Sequence, residues 1–506
     1  MVKCHERKRN FILAGLLISS IFILFPASAN PFFRFTPWPD CSVFSIMGWL
    51  ARDGAIPYRD YFDHKGPLMY LINGLFGYGH NFWTIWIYEF FSLFTTSIFM
   101  YKLARLRFDS TISFLATLSA LLLIGRNLDG GNYTEEYAVL FISIGIYVCV
   151  KILLDKDRLI WWRGVVNGIA CGAVLLLRPN MAGAWVVLCV IIFFRYILQR
   201  QIKNSLLFAL YFLLGISIAC MPVLLYFHVN EGMQDFIFSY FIFNFGYSNI
   251  DNSFMNSLNG MFVQIRAMAI DGSLFTILIG CILCIYQGLK TKKERVFWWS
   301  IPFAFFVSFY FASMSGKGYA HYRMILAPLM IIPMALLFRY AYSFVKKHLC
   351  KGFIKKAHAI AIPLVLLMVL NIGLIAYNGG MFILRIPENR RRTVCLEDAA
   401  SFLNTNMLES DQLLVFSPNE TILYYDTGRR PPSKYLYIPP VNNDFIIDSL
   451  DEYVRHNTPR FIVANYIWNR NDDRLFLFVR ENYTIASDYI FNDSEHGGFY
   501  IYEYNK

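Results

Sequence analysis

The sequence predicts a polytopic α-helical membrane protein that carries a small α/β domain after its last span. Three observations predict it. Of 506 residues, 56% are apolar and 18% aromatic, against 16% charged. The mean hydropathy is +0.42. Basic residues cluster in every second loop between apolar stretches. A soluble domain has roughly 25% charged residues, so the deficit marks a chain whose main solvent is lipid.

A span needs about 17–25 mostly apolar residues. About eleven stretches qualify: 10–28, 81–101, 109–125, 135–153, 163–178, 181–198, 204–228, 272–289, 296–313, 322–343 and 358–377. The fifth is short and ends at Leu177-Arg178-Pro179-Asn180. The first, with Lys8-Arg9 before it and Ala27-Ser28-Ala29 after it, also imitates a signal peptide. We read it as an uncleaved anchor, since cleavage would release the loop that follows.

The net charge of +11 does not point to nucleic acid, because its sources are distributed by topology. Lys3, Arg7, Lys8 and Arg9 precede the first span. Lys102, Arg105 and Arg107, then Lys151, Lys156, Arg158 and Arg163, follow at alternate loops. Arg195, Arg200 and Lys203, then Lys290, Lys292, Lys293 and Arg295, continue the series, and Lys346, Lys347, Lys351, Lys355 and Lys356 end it. The positive-inside rule places these loops in the cytoplasm. With eleven spans the N-terminus lies inside and the C-terminus outside. Ten cysteines are scattered, mostly within spans, where they act as small apolar residues. Cys281 and Cys284 form C-x-x-C without a second pair or a histidine, which is no zinc or redox signature.

Two domains follow: a membrane domain over 1–378, with a first outer loop at about 29–80, and a soluble extracytoplasmic domain over 379–506. In the second, Glu397–Leu403 and Ile446–His456 read as helices. Leu413–Phe416, Arg460–Ala464 and Phe499–Tyr504 read as strands. The membrane domain shows no internal repeat, which counts mildly against a transporter.

The predicted outer side gathers the acids and bases that could carry chemistry. The first loop supplies Asp40, Asp53, Asp60 and Asp63, and the second supplies Asp129, Glu135 and Glu136. Their basic neighbours are Arg52, Arg59, Lys65, Arg126, Arg178, Lys317 and Arg323. Taken singly, each reads as a solvated loop charge. Together they suit one kind of chemistry, in which an acid activates a hydroxyl nucleophile and cations stabilise a departing lipid phosphate. Mixed histidine–carboxylate sets suit zinc or manganese, so His64 or His321 with Glu135 or Glu136 is one reading. A histidine hydrogen-bonded near substrate is the other, and no H-x-x-x-H accompanies either. The aromatic run Phe236–Tyr247 reads as an interfacial belt.

The order of motifs resembles the GT-C superfamily of membrane glycosyltransferases. More narrowly, it is similar to the glycosyltransferase family 39 type, the relatives of lipid A aminoarabinose transferases and protein O-mannosyltransferases. Asp40 stands where that family opens its first outer loop with an acid, and Pro57-Tyr58-Arg59-Asp60 follows within the loop. His64-Lys65-Gly66-Pro67-Leu68 stands where the loop closes on a Lys-Pro-Pro-Leu-like motif. Cys41 replaces the family's second acid and Gly66 its first proline, while Asp40 and Lys65 match. Asn132–Tyr137, Leu177–Asn180, Ser315–Tyr322 and Thr427–Ser433 resemble later outer segments of the same enzymes.

The resemblance implies a bacterial plasma-membrane enzyme. It would transfer a sugar from a polyprenyl-phosphate donor to a hydroxyl on a glycan, lipid or protein, with inversion. Asp40 would be the catalytic base. Lys65 and Arg178, then Lys317 and Arg323, would hold the donor phosphate. Tyr58, Asp63, His64, Glu135, Glu136 and His321 would contact substrate, and a divalent metal on His64, Glu135 or Glu136 stays open. The rival readings are a flippase for lipid-linked glycans and a non-catalytic membrane assembly protein. A transporter places ionisable groups mid-span, whereas here most sit at outer loops, with Glu89 near a span end.

Overall fold

The computed structural model describes residues 2–32, 35, 39–77, 83–155, 159–244, 254–270, 272–349, 386, 388–439, 444–466, 474–491 and 497–505. The eleventh expected span, 358–377, lies outside the described residues.

Long apolar helices form the bulk of the chain. The helices are α1 (Val2–Ile23), α4 (Trp83–Arg105), α5 (Ser110–Arg126), α6 (Thr134–Leu154), α7 (Trp161–Leu177), α8 (Gly183–Leu198) and α9 (Ile202–Val229). Helices at Ser273–Lys290, Arg295–Ser313 and Ala327–Leu349 follow. Among the described residues, six stretches are long and apolar enough to cross a membrane. The helices Ser110–Arg126 and Trp161–Leu177 are apolar but shorter, and the chain is a multi-pass membrane protein. The helix Phe254–Ile270 is not among the expected spans. Its polar residues Asn256, Asn259, Gln264 and Arg266 interrupt the apolar run that marks a span.

Close helix approach rests on small residues, as membranes favour. Gly164, Gly168 and Gly172 recur every fourth position on α7 and face α9. A side-chain carbon on Gly172 would lie 2.7 Å from that of Ala219, and one on Gly168 has no room beside the Phe212 carbonyl. The opposite face of α9 is lined with exposed Leu206, Leu210, Leu213 and Leu225, as suits a lipid-facing surface.

The loop after the first helix folds into two helices, α2 (Pro39–Arg52) and α3 (Pro67–Phe76). They touch through Gly48, where a methyl would lie 2.5 Å from the Asn73 backbone. The run expected to be an interfacial belt is described as far as Asn244 and has two faces, with Phe238 and Phe241 exposed and other rings packed inward. Met233–Phe236 is helical and continues as a π-turn at Ile237–Ile242. Phe236, Tyr240 and Phe243 are buried, with Phe236 5.6 Å from Tyr58 and Phe243 5.1 Å from Phe62. Burial against the first loop claims these three rings.

Beyond 388–406, which is helical, a four-stranded mixed sheet has the order β1 (Leu413–Val415), β2 (Phe461–Asn465), β4 (Gly498–Tyr504), β3 (Tyr483–Ile490). β1 and β2 are parallel, and their crossover carries the helix Asp444–Asn457. β4 pairs antiparallel with both β2 and β3. β1 and β2 are buried throughout. β3 alternates less cleanly and is bulged between Ile485 and Ser487, which hides it in the sequence.

Candidate active site

The site is built where the first loop meets one end of the helix bundle. Pro39 starts α2 and places Asp40 in its first turn, where the helix dipole favours a carboxylate. The Asp40 side chain keeps 43% exposure, and its Oδ2 lies 3.6 Å from Lys65 Nζ. Burial opposes the charge on the Lys65 ammonium. Arg178 opposes it as well, but Asp40 foremost, with Tyr322 and Asp63, favours it, and together they hold Lys65 above its ordinary value.

Gly66 fixes where Lys65 sits. The backbone there runs so close to the Leu176 and Leu177 carbonyls that no Cβ fits. This is a local reason for glycine at position 66. The same contact brings Lys65 to the end of α7, where Arg178 caps the helix. Arg178 Nη1 donates to Glu135 Oε1 at 2.6 Å, Nη2 donates to the Tyr322 hydroxyl at 3.1 Å, and the guanidinium lies 4.5 Å from the Tyr322 ring centre. An exposed carboxylate, two cations that repel each other and a phenol therefore converge. Tyr322 ends the Ser315–Tyr322 segment, but nothing in the sequence marks it as a partner of Arg178.

The other expected residues brace this arrangement. Tyr58 adopts φ 70° and is fully buried, its hydroxyl donating to the Lys65 carbonyl at 2.6 Å. Asp63 is also fully buried. It accepts from Tyr70 at 2.7 Å and from Tyr437 at 3.1 Å, with His64 Nδ1 at 3.4 Å. Both were expected to touch substrate; burial turns them into supports. Burial opposes ionisation of Asp63, but His64, Lys65 and the Tyr70 hydroxyl hold its carboxyl below the usual range. Burial and Lys65 push His64 down, against the pull of Asp63 and Asp40.

His321 is sandwiched between Tyr133, at 4.2 Å, and Tyr319, at 5.5 Å, with Asp129 Oδ2 3.5 Å from its Nδ1. Arg323, an expected phosphate ligand, donates instead to Asn127 at 2.8 Å and to Gln264 at 2.8 Å. Lys317 lies on the Ser315–Tyr319 turn, its backbone amide 3.4 Å from Ser315 Oγ. Glu136 accepts from the Asn132 amide at 2.8 Å. The suggested metal ligands thus face separate protein partners. Among the described residues no group of three or more His, Cys, Asp or Glu side chains is placed to hold a metal ion.

The C-terminal domain closes one side. Phe62 N donates to the Lys434 carbonyl at 2.8 Å, and Lys434 Nζ reaches Asp235 at 2.6 Å. Trp49 meets Tyr425 edge-on at 5.4 Å. The buried Arg392 guanidinium donates to the Asn419 carbonyl at 3.1 Å and interacts electrostatically with Glu420, Cys41 and Tyr133. Nothing in the local sequence marks Tyr437, which reaches Asp63 across 374 positions of chain, or the long-range interaction of Arg392 with Cys41 and Tyr133.

Residues 3–386 match the family model of the putative competence-induced protein Ccs4 N-terminal domain. The chain belongs to that family. No curated protein matches this Ccs4-family chain. Among solved structures it is similar to ArnT from Cupriavidus metallidurans bound to undecaprenyl phosphate. That likeness has a TM-score of 0.55 and 13% identity over 97% of each chain. The apo state of the same ArnT gives 0.54, at 11% identity over 98% of each chain. The Archaeoglobus fulgidus oligosaccharyltransferase tethered to an acceptor peptide gives 0.52, at 12% identity, covering 98% of this chain and 74% of that one. These are GT-C structures, and the Ccs4-family chain shares their fold.

Proposed function

We propose that this protein is a membrane glycosyltransferase. It moves a sugar from a polyprenyl-phosphate donor to a hydroxyl acceptor on the outer side of a bacterial cytoplasmic membrane. The observation that carries this reading is the pairing of a half-exposed Asp40 carboxylate with Lys65 Nζ at 3.6 Å, beside Arg178 and Tyr322. The undecaprenyl phosphate bound to ArnT, a protein of the same fold, supports a lipid phosphate as the anionic partner.

In this reading the acceptor oxygen attacks the anomeric carbon while Asp40 takes its proton. The bond between that carbon and the donor phosphate oxygen breaks, and the electron pair leaves with the lipid phosphate. A single displacement inverts the anomeric configuration. Lys65 and Arg178 meet the growing charge on the leaving phosphate, as preorganised cations do in a partly dry site. Tyr322 holds the Arg178 fork in place. Lys317 remains a further cation for the phosphate, whereas Arg323 supports the Asn127 turn.

Retention of undecaprenyl phosphate by the purified protein, measured by native mass spectrometry, tests the reading. A charge-assisted contact is worth about 1.5–3 kcal/mol, roughly ten- to a hundredfold. Lys65→Ala is expected to lose that much affinity, and Arg323→Lys little. Equal retention by wild type and Lys65→Ala would remove Lys65 from the site.

A further inference from the structure

Behind Asp40, four consecutive residues adopt left-handed backbone: Asp129 at φ 50°, Gly130 at 93°, Gly131 at 82° and Asn132 at 57°. Such a run is unfavourable for Asp and Asn and persists only where its surroundings over-determine it. Here the Asn132 amide points at two carboxylates at once, Glu89 Oε1 at 2.6 Å and Glu136 Oε2 at 2.8 Å. Asn132 Oδ1 accepts from Tyr137 at 2.9 Å, and its Nδ2 donates to Asn73 at 2.9 Å. Gly131 is required, because a methyl there would lie 2.6 Å from Glu89 Oε1.

Both acids are buried, Glu89 completely and Glu136 with 4% exposure. Glu89 Oε2 and Glu136 Oε1 are buried without a hydrogen-bond partner among the described residues. The titratable groups that face them are Tyr88 on α4, Cys41 on α2 and Tyr137 on α6. None is basic, and among the described residues no cation forms an ion pair with either acid. Two carboxylates that share one donor in a dry site, without a counter-charge, repel each other strongly if both are ionised.

We propose that Glu89 and Glu136 hold one proton between them and act as a positioning pair. They lock the left-handed turn and, through it, the Tyr133–Glu135 segment that meets His321 and Arg178. The positioning half rests on the glycosyltransferase reading; the shared proton does not.

Infrared difference spectroscopy at neutral pH tests the proton. Wild type minus the Glu89→Gln/Glu136→Gln double variant should show a protonated-carboxyl C=O band and one carboxylate. Glu420, whose carboxyl burial pushes up to about 8, is present in both proteins and cancels. Loss of two carboxylates with no acid band would overturn the shared proton. Undecaprenyl phosphate binding tests positioning. Glu89→Gln keeps a neutral acceptor for the Asn132 amide and should bind within about twofold of wild type. Glu89→Leu, which has no acceptor, should bind at least tenfold more weakly and melt earlier. Unchanged binding and melting in Glu89→Leu would overturn the positioning role. Failure of the wild type itself to bind the lipid would overturn the glycosyltransferase reading and leave the proton to the infrared result.

Discussion

The Tyr437 hydroxyl donates to Asp63 Oδ1 at 3.1 Å, so the C-terminal domain grips a carboxylate two residues before Lys65. The first loop is held from both sides, since Tyr70 on α3 donates to the other Asp63 oxygen at 2.7 Å. Removing one donor from a buried carboxylate leaves part of its charge unsatisfied.

Tyr437→Phe removes the bond and little else. A hydrogen bond to a charged group is worth about 1.5–3 kcal/mol. The variant should melt earlier in detergent and hold undecaprenyl phosphate less tightly. Wild-type values for both would mean that the domain contact does not set the loop.

Gly66→Ala probes the approach of the Lys65 segment to the Leu176 and Leu177 carbonyls. Overpacking costs about 1–3 kcal/mol, and more where the neighbour is backbone. The expected outcome is a lower melting temperature and weaker lipid-phosphate binding, because Lys65 is pushed away from Arg178. Gly66→Ala with unchanged melting and binding would refute the tight approach.

His64 gives a pH dependence with a defined sign. Its folded pKa lies below the ordinary value of about 6.5, chiefly through burial and Lys65. The unfolded chain therefore binds more protons between the folded value and about 6.5, and stability falls as pH drops through that window. Asp63 is shifted down from about 3.9, so its contribution is present above that pH and is lost as pH falls further through its folded value. His64→Gln should flatten the loss of melting temperature that begins below about pH 6.5, and leave the steeper acid limb below about pH 4. An unaltered profile in His64→Gln would show that His64 does not titrate with folding.

The multi-pass helical character was legible because lipid demands long apolar runs. The Asp40–Lys65 relation was legible only as an ordered motif, since no spacing rule brings positions 40 and 65 within 3.6 Å. Arg323 looked equivalent to Arg178 in the sequence. What separates them is which partners each faces: Asn127 and Gln264 for Arg323, Glu135 and Tyr322 for Arg178. Tyr58 and Asp63 resembled substrate ligands because polar residues in a loop are usually wet, but two short helices and the C-terminal domain bury them. Glu89 was visible as an acid near a span end. Its meaning depends on the left-handed turn at 129–132, which a sequence shows only as Asp-Gly-Gly-Asn.

The central claim is that Asp40 deprotonates the acceptor. Asparagine keeps the shape and cannot act as a useful base, and loss of a general base costs about 10²–10⁴-fold in rate. The most direct measurement is mass spectrometry of surface glycans and lipids from cells carrying wild type, Asp40→Asn or no copy of the gene. The purified variant is checked in parallel for normal melting and undecaprenyl phosphate binding. The account predicts that Asp40→Asn folds, binds the lipid, and leaves the same missing-sugar profile as the deletion. A wild-type profile from Asp40→Asn would contradict it.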